Sequence, residues 1–385
     1  MPTAPTDEQP AAALPPPEPP SRDPVARDPV ARDPVAWDVA EKVAIRVARR
    51  EPLADSYLYA SLDPDFRRYT AEAEELVAQE TGLRSLAGPA RVRVTDRAGW
   101  IRANLASFRR LLRPLTERLG ARMGSGPLSG AGRSVAGAEV GALLGWMSTR
   151  VLGQYDLLVI ENEDVDDQDI VYYVGPNVLS LEKRFAFPPG EFRLWLAVHE
   201  LTHRAQFTGV PWMQQHFLSL VDATLSGFDP DPKRFLAALR RAVDAARAGQ
   251  NPLDDGGLVS LFAGPEQHVV LQQIQGLMSL LEGHGDIVMD RASVGRIPGA
   301  ARFHQVLQQR REAAGAARFL QKLIGLEAKL RQYQDGERFL EAVDAAQGAS
   351  IDLLWRGPEY LPSLAEIRTP GLWLSRIAHL EEAAS

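Results

Sequence analysis

Residues His199-Glu200-Leu201-Thr202-His203 place two histidines four apart with a glutamate between them. On a helix, positions four apart lie on one face, so both imidazoles can reach a single metal ion. Glu200, about 100° further round, is placed to hold a metal-bound water as general base. The constraint extends beyond these five residues. From Glu191 to Phe207 no glycine or proline interrupts the chain, and Phe192, Leu194, Trp195, Leu196, Ala197, Val198, Leu201 and Ala205 are apolar nearly all round. Such a pattern reads as a helix buried in a core, a setting that holds a metal site rigidly. Pro188-Pro189-Gly190 and Gly209-Val210-Pro211 supply its start and stop.

Composition narrows the chemistry. The chain has 385 residues and no cysteine, which excludes thiolate ligands, disulfides and cysteine nucleophiles. Any metal must therefore be held by His, Asp or Glu, and imidazole with carboxylate in a three-ligand site suits catalytic zinc. The net charge of -7 gives no support for nucleic acid as a partner. No run approaches the ~18 apolar residues of a membrane span, and no basic start precedes an apolar stretch. The expected location is the cytoplasm, away from membranes.

Residues 1–36 read as a disordered proline-rich tail. Pro15-Pro16-Pro17 favours an extended conformation, and Arg-Asp-Pro-Val-Ala recurs unchanged from Arg22, Arg27 and Arg32. Residues 37–385 read as one domain, with 37–208 and 209–385 as candidate sub-lobes. Helices are expected over Asp38 to Arg50, Asp63 to Thr81, Trp100 to Gly120 and Val135 to Leu152, with a short strand at Val92 to Asp96. The glycine- and serine-rich Gly124 to Gly132 reads as a loop, and it lacks the lysine of a phosphate cradle. Gln154 to Ile160, Ile170 to Val174 and Val178 to Leu181 read as strands. Between the first two lies Glu161 to Asp169, with six carboxylates, in neither order nor spacing for a calcium loop; a solvated acidic loop is expected. A strand beside the metal helix could offer its edge to an extended peptide. Further helices are expected over Trp212 to Leu225, Lys233 to Ala248 and Pro265 to Arg291.

Two histidines need a third ligand. In the last of these helices, Glu282 and Asp286 are four apart on one face amid Ile274, Leu277, Met278, Leu280, Leu281, Ile287 and Val288. Polar groups that deep need partners: Glu282 would bind the ion, and Asp286 would accept the N–H of a ligand histidine. His284 competes as ligand, although it could join Glu282 only if Gly283 and Gly285 unwound the helix. His216 and His268 remain as further candidates. The extension His-x-x-Gly-x-x-His is absent, since Gln206 and Gly209 occupy those positions.

Ala301 to Tyr333 reads as one long amphipathic helix, followed by short helices at Phe339 to Ala346 and Ile351 to Trp355 and a last one from Trp373 to Glu382. An oxyanion donor is usually supplied by a separate segment. Tyr333 and His304 are the low-ranking candidates, and packing roles compete for both.

Gly145-Trp-Met-Ser-Thr-Arg-Val-Leu-Gly-Gln-Tyr-Asp156, Tyr173-Val-Gly-Pro-Asn177, Val198-His-Glu-Leu-Thr-His203, Leu281-Glu-Gly-His-Gly-Asp286 and Gly325-Leu-Glu-Ala-Lys-Leu-Arg-Gln-Tyr333 together resemble a bacterial family of zincin-like hydrolases. That family is commonly labelled as zinc-dependent metalloproteases or as associated with deazaflavin coenzyme biosynthesis; nothing here resembles a flavin site. The resemblance runs from about Trp37 to about Arg376. It implies a zincin-like core, mainly α with a small β-sheet (α+β) and a helical C-terminal part, with zinc on His199, His203 and Glu282 in a gluzincin arrangement. The expected function is a zinc-dependent hydrolase, a peptidase using Glu200 as general base on a peptide or protein substrate. The alternatives are a catalytically inactive metal-binding interaction or structural protein, and a hydrolase of non-peptidic amides. Oligomeric state and substrate are not legible.

Overall fold

The computed structural model describes residues 33–51, 53, 55–113, 127–157, 169–226, 265–312, 326–346 and 350–384. Among them, Asp33 onward forms one unit built mostly of helices. In chain order these are α1 (Trp37–Ala48), α2 (Leu62–Thr81), α3 (Arg97–Leu111), α4 (Pro127–Ser148), α5 (Gly175–Phe185), α6 (Pro189–Thr208), α7 (Met213–Ser226), α8 (Pro265–Ser293), α9 (Ala300–Glu312), α10 (Leu326–Ala345), α11 (Leu364–Arg368) and α12 (Pro370–Ala384). Three strands, β1 (Arg91–Thr95), β2 (Gly153–Tyr155) and β3 (Ile170–Val174), make the sheet, in the order β1-β3-β2. The architecture is mainly α with a small sheet, as the sequence implies.

The central strand β3 is buried along its whole length. It pairs parallel with β1 and antiparallel with β2, where Gly153 faces Tyr173 and Tyr155 faces Val171. On this edge strand the ladder bonds run from the Val174 amide to the Leu152 carbonyl and from the Asp156 amide to the Ile170 carbonyl. Alternation along the strand turns the intervening amide of Tyr155 away from β3, toward α6.

Helix α6, which carries His199 to His203, is the spine of the larger core cluster. Phe192, Leu194, Trp195, Leu196, Ala197, Val198, Leu201 and Ala205 all pack there, beside Phe66, Val77 and Tyr173. Two of its polar residues are arginines whose side chains are buried. Arg193 makes paired bonds to Glu182 at 2.7 and 2.9 Å and reaches Asp65 at 2.6 Å. Arg204 makes paired bonds to Asp169 at 2.9 and 2.6 Å and one to Glu74 at 2.6 Å. A buried guanidinium is tolerated only when its donors are met by carboxylates in good geometry. These two tie α6 to α2, to α5 and to the residue preceding β3. Asn177 makes another such tie: its side-chain amide donates to the carbonyls of Ser148 and Val151 and accepts from Arg97 Nε.

Several expectations are corrected. Val178 to Leu181 is not a strand but the middle of α5. Pro176 sits in its first turn, where a missing amide hydrogen costs nothing. Helix α4 starts at Pro127, so the part of the expected Gly124–Gly132 loop that is described is helical. Of the expected helix from Ala301 to Tyr333, α9 and the first turns of α10 are described, and residues 313–325 lie outside the described residues; α10 continues past Tyr333 and absorbs the short helix expected at Phe339. Asp169, the last carboxylate of the acidic stretch, is paired with Arg204 rather than solvated, and holds a left-handed φ of 55° that aspartate tolerates better than most. Residues 158–168, the helix expected at Lys233 to Ala248 and most of the N-terminal tail lie outside the described residues. Among the described residues no helix is long and apolar enough to cross a membrane.

Helix α8 is unbroken through Gly283 and Gly285, so these glycines do not unwind it. Gly283 lets α8 and α10 cross backbone to backbone: a Cβ there would stand 2.5 Å from the Glu337 amide nitrogen, and one at Gly336 would collide with the Ser279 carbonyl. Gly283→Ala should destabilise the protein by at least about 1–3 kcal/mol, because the obstacle is backbone and cannot swing aside. At Gly285 a Cβ would meet only His203 Cε1 at 3.5 Å and His199 Nδ1 at 3.7 Å, which is ordinary contact. Gly285→Ala should thus be neutral, or stabilising by up to about 1 kcal/mol through helix propensity. Denaturant unfolding of the two variants checks this, and equal losses would contradict the close crossing.

Candidate metal centre

The i, i+4 spacing on α6 does what helix geometry requires. The Nε2 atoms of His199 and His203 lie 3.3 Å apart, with the rings nearly perpendicular at 85°. Helix α8 crosses α6 and presents Glu282, whose Oε2 stands 3.8 Å from His203 Nε2. One ligand atom from each of His199, His203 and Glu282 falls within 4.8 Å of the others, and among the described residues these three alone form a cluster able to hold a metal.

The donor set can be tested against zinc. With bonds of about 2.0–2.2 Å, neighbouring ligand atoms of a tetrahedral ion lie roughly 3.3–3.6 Å apart. The observed 3.3 and 3.8 Å need only small side-chain adjustment to meet that requirement. Two imidazoles, one carboxylate and no thiolate leave a fourth position open, the pattern of catalytic rather than structural zinc. All three side chains are partly exposed, so an ion and a substrate have a way in. The residues fit the ion.

Glu200 lies on α6 between the two histidines and is buried. Its Oε2 accepts the outward amide of Tyr155 on edge strand β2 at 3.1 Å. Burial, then the charge of Glu282, push its carboxyl up to about 8, while the Tyr155 hydrogen bond pulls the other way. Oε1 lies against Gly153, where a Cβ would come within 2.5 Å of it. The glycine is thus a close-approach residue: it leaves the room that Oε1 occupies.

His284 does not join the cluster. It is buried on α8, its Nδ1 is 3.0 Å from Gln206 Nε2, and its ring sits edge-on to Trp355 with centroids 4.9 Å apart. Burial, the nearby His203 and Arg291 hold it as the neutral imidazole, pushed down to about 3. His216 is half-buried against Trp212 on α7, and His268 lies near the start of α8; neither falls in the cluster. Asp286 is buried one turn after Glu282. The two oxyanion candidates part company: His304 on α9 acts on Glu337 of α10, and the Tyr333 side chain lies outside the described residues. Tyr155, a partly buried phenol beside the site, is hydrogen-bonded to Asp169 and pushed up by burial.

Three residues at the site escaped the sequence reading. Gly153 and Tyr155 act through backbone, which no side-chain motif encodes. Gln206 registered only as the wrong residue for a different ligand extension, yet it is completely buried and bonded to His203 Nδ1 at 3.0 Å. Its uncharged side chain in the last turn of a buried helix was the available signal, since such a group requires partners.

Comparison with known proteins places the geometry in a family. Residues 35–374 match the family model described as zincin-like metallopeptidase. A crystal structure from Chloroflexus aurantiacus, described as "a putative hydrolase with a novel fold", is similar at 30% sequence identity and a TM-score of 0.66, the match covering 89% of this chain and 99% of that one. No curated protein matches the chain. A family match over most of the chain, around a helix that brings His199 and His203 together with Glu282, shows that the protein belongs to the zincin-like metallopeptidase family.

Proposed function

We propose that this protein is a zinc-dependent hydrolase that cleaves peptide bonds. The observation that carries the reading is the meeting of His199, His203 and Glu282 within 4.8 Å, beside the buried carboxylate of Glu200. When bound, zinc supplies Lewis acidity: it polarises the scissile carbonyl and acidifies water at its open position. The residues of the chain do the rest.

His199, His203 and Glu282 would hold the ion. Glu200 is the general base. Its Oε2 is held by the Tyr155 amide, which leaves Oε1 to take a proton from the attacking water and deliver it to the leaving amine nitrogen. Asp286, buried one turn after Glu282, is the carboxylate we assign to the N–H of a ligand histidine once the ion is bound.

Glu200→Gln should keep zinc affinity and lower turnover by roughly 10²–10⁴-fold, the scale of a lost general base. His199→Ala, His203→Ala and Glu282→Ala should each weaken zinc binding as measured by chelator competition. Full activity in Glu200→Gln would sink the mechanism.

Gly153→Ala should displace Glu200 Oε1 without touching a ligand. About 10²-fold loss of turnover at unchanged zinc affinity is expected, the usual cost of a misplacement near 1 Å. Unchanged turnover would show that Oε1 does not need the space.

Digestion of a peptide library by the zinc-loaded protein, with a chelator-treated control, tests the substrate class. Chelator-sensitive cleavage is expected. Zinc bound at full occupancy with no cleavage would instead favour a metal-bearing interaction protein or a non-peptidic amide substrate.

A further inference from the structure

The structure assigns Gln206 as the positioning residue that sets the tautomer of His203, and we infer that it keeps His203 Nε2 unprotonated and ready for a metal. The inference rests on the proposed metal site and adds to it a residue outside the ligand motif.

The Gln206 side chain is wholly buried, so each of its polar atoms needs a partner inside the protein. Three are present. Oε1 lies 3.0 Å from His203 Nδ1, and Nε2 lies 2.9 Å from the Leu281 carbonyl and 3.0 Å from His284 Nδ1. Carboxamide oxygen and nitrogen are nearly interchangeable in shape, and histidine tautomers are free to vary, so the pattern must be fixed by a group with no choice. The Leu281 carbonyl is that group, because it can only accept.

The consequences follow in sequence. The Gln206 nitrogen must face Leu281, since an oxygen there would oppose the carbonyl. The Gln206 oxygen then faces His203, and it too can only accept. His203 must therefore carry its hydrogen on Nδ1, which leaves the Nε2 lone pair directed toward His199 Nε2 and Glu282. The second hydrogen on Gln206 Nε2 goes to His284 Nδ1, which accepts it. Gln206 and Leu281 thus lock one ligand of α6 to the backbone of α8, one residue before Glu282. A single amide orients His203 and couples it to the helix that supplies the third ligand.

Long-range ¹H–¹⁵N correlation spectra of the full-length protein, labelled at histidine and free of zinc, read the tautomer directly. A His203 ring protonated at Nδ1 is expected, and protonation at Nε2 instead would overturn the assignment. In Gln206→Leu the Nδ1 preference should weaken and zinc affinity, measured by chelator competition, should fall by about 10–100-fold, the usual effect of losing a group behind a metal ligand. An Nδ1 preference and a zinc affinity both unchanged in Gln206→Leu would assign Gln206 to packing alone. The spectrum of the unaltered protein needs no variant to fold. If that protein binds no zinc, the metal reading fails by itself, while an Nδ1 hydrogen on His203 would still uphold the role of Gln206.

Discussion

The site depends on one contact, the crossing of α8 over α6. Two histidines four apart supply two-thirds of a zinc site from a single helix, but a helix cannot add a third ligand on the same side without the next turn intervening. The third must come from elsewhere, at a distance fixed to a few tenths of an ångström. Helix α8 meets that demand by lying against the histidine face closely enough that a Cβ at Gly285 would touch both imidazoles, and it is held on its other side where Gly283 meets Gly336 of α10. Glu282 therefore arrives at its 3.8 Å from His203 because two helix crossings, each free of side chain at the closest point, set the position of its backbone.

Such a crossing is useful only if α6 itself does not shift. Apolar burial is strong but has no preferred direction along a helix axis, so a packed helix can slide or rotate at small cost. Arg193 and Arg204 remove that freedom. Each is buried on α6 and bound to carboxylates from different elements, one pair toward Glu182 and Asp65, the other toward Asp169 and Glu74. Buried ion pairs contribute little net stability, but displacing one leaves a charge without its partner, which costs about 3–5 kcal/mol. They act as locating pins. The residue that opens β3's pairing, Asp169, is one of them, so the sheet and the metal helix are registered by the same bond.

This division explains what the sequence disclosed. The metal helix was legible because histidine spacing and a nearly continuous apolar pattern both follow the 3.6-residue period. Glu282 was legible because a carboxylate amid Leu280, Leu281 and Ile287 has no reason to be there unless it has a partner. Val178 to Leu181 was misread because three apolar residues in four suit a buried strand as well as a buried helix, and the proline before them favours the first turn of a helix as much as the end of a strand. Gly153, Gly283 and Gln206 were opaque for another reason. Gly153 and Gly283 take their meaning from Glu200 and Gly336, which stand opposite at separations the chain does not reveal; Gln206 is one helical turn from His203, but its other partners, Leu281 and His284, come from α8. The fold class was within reach of pattern; the fit of the site was not.

Glu200 brings these threads together. A carboxylate this deeply buried is disfavoured in its charged form twice over, by the loss of water and by Glu282 beside it, and both raise its pKa. One backbone hydrogen bond from Tyr155 opposes them and does not suffice. Glu200 and Glu282 thus stand together beside the two imidazoles, and a divalent cation coordinated by His199, His203 and Glu282 would turn repulsion between the acids into shared attraction. The same ion would draw Glu200 back toward its ionised form, which is the form a general base requires. Metal binding and the arming of the base would in this sense be one electrostatic event.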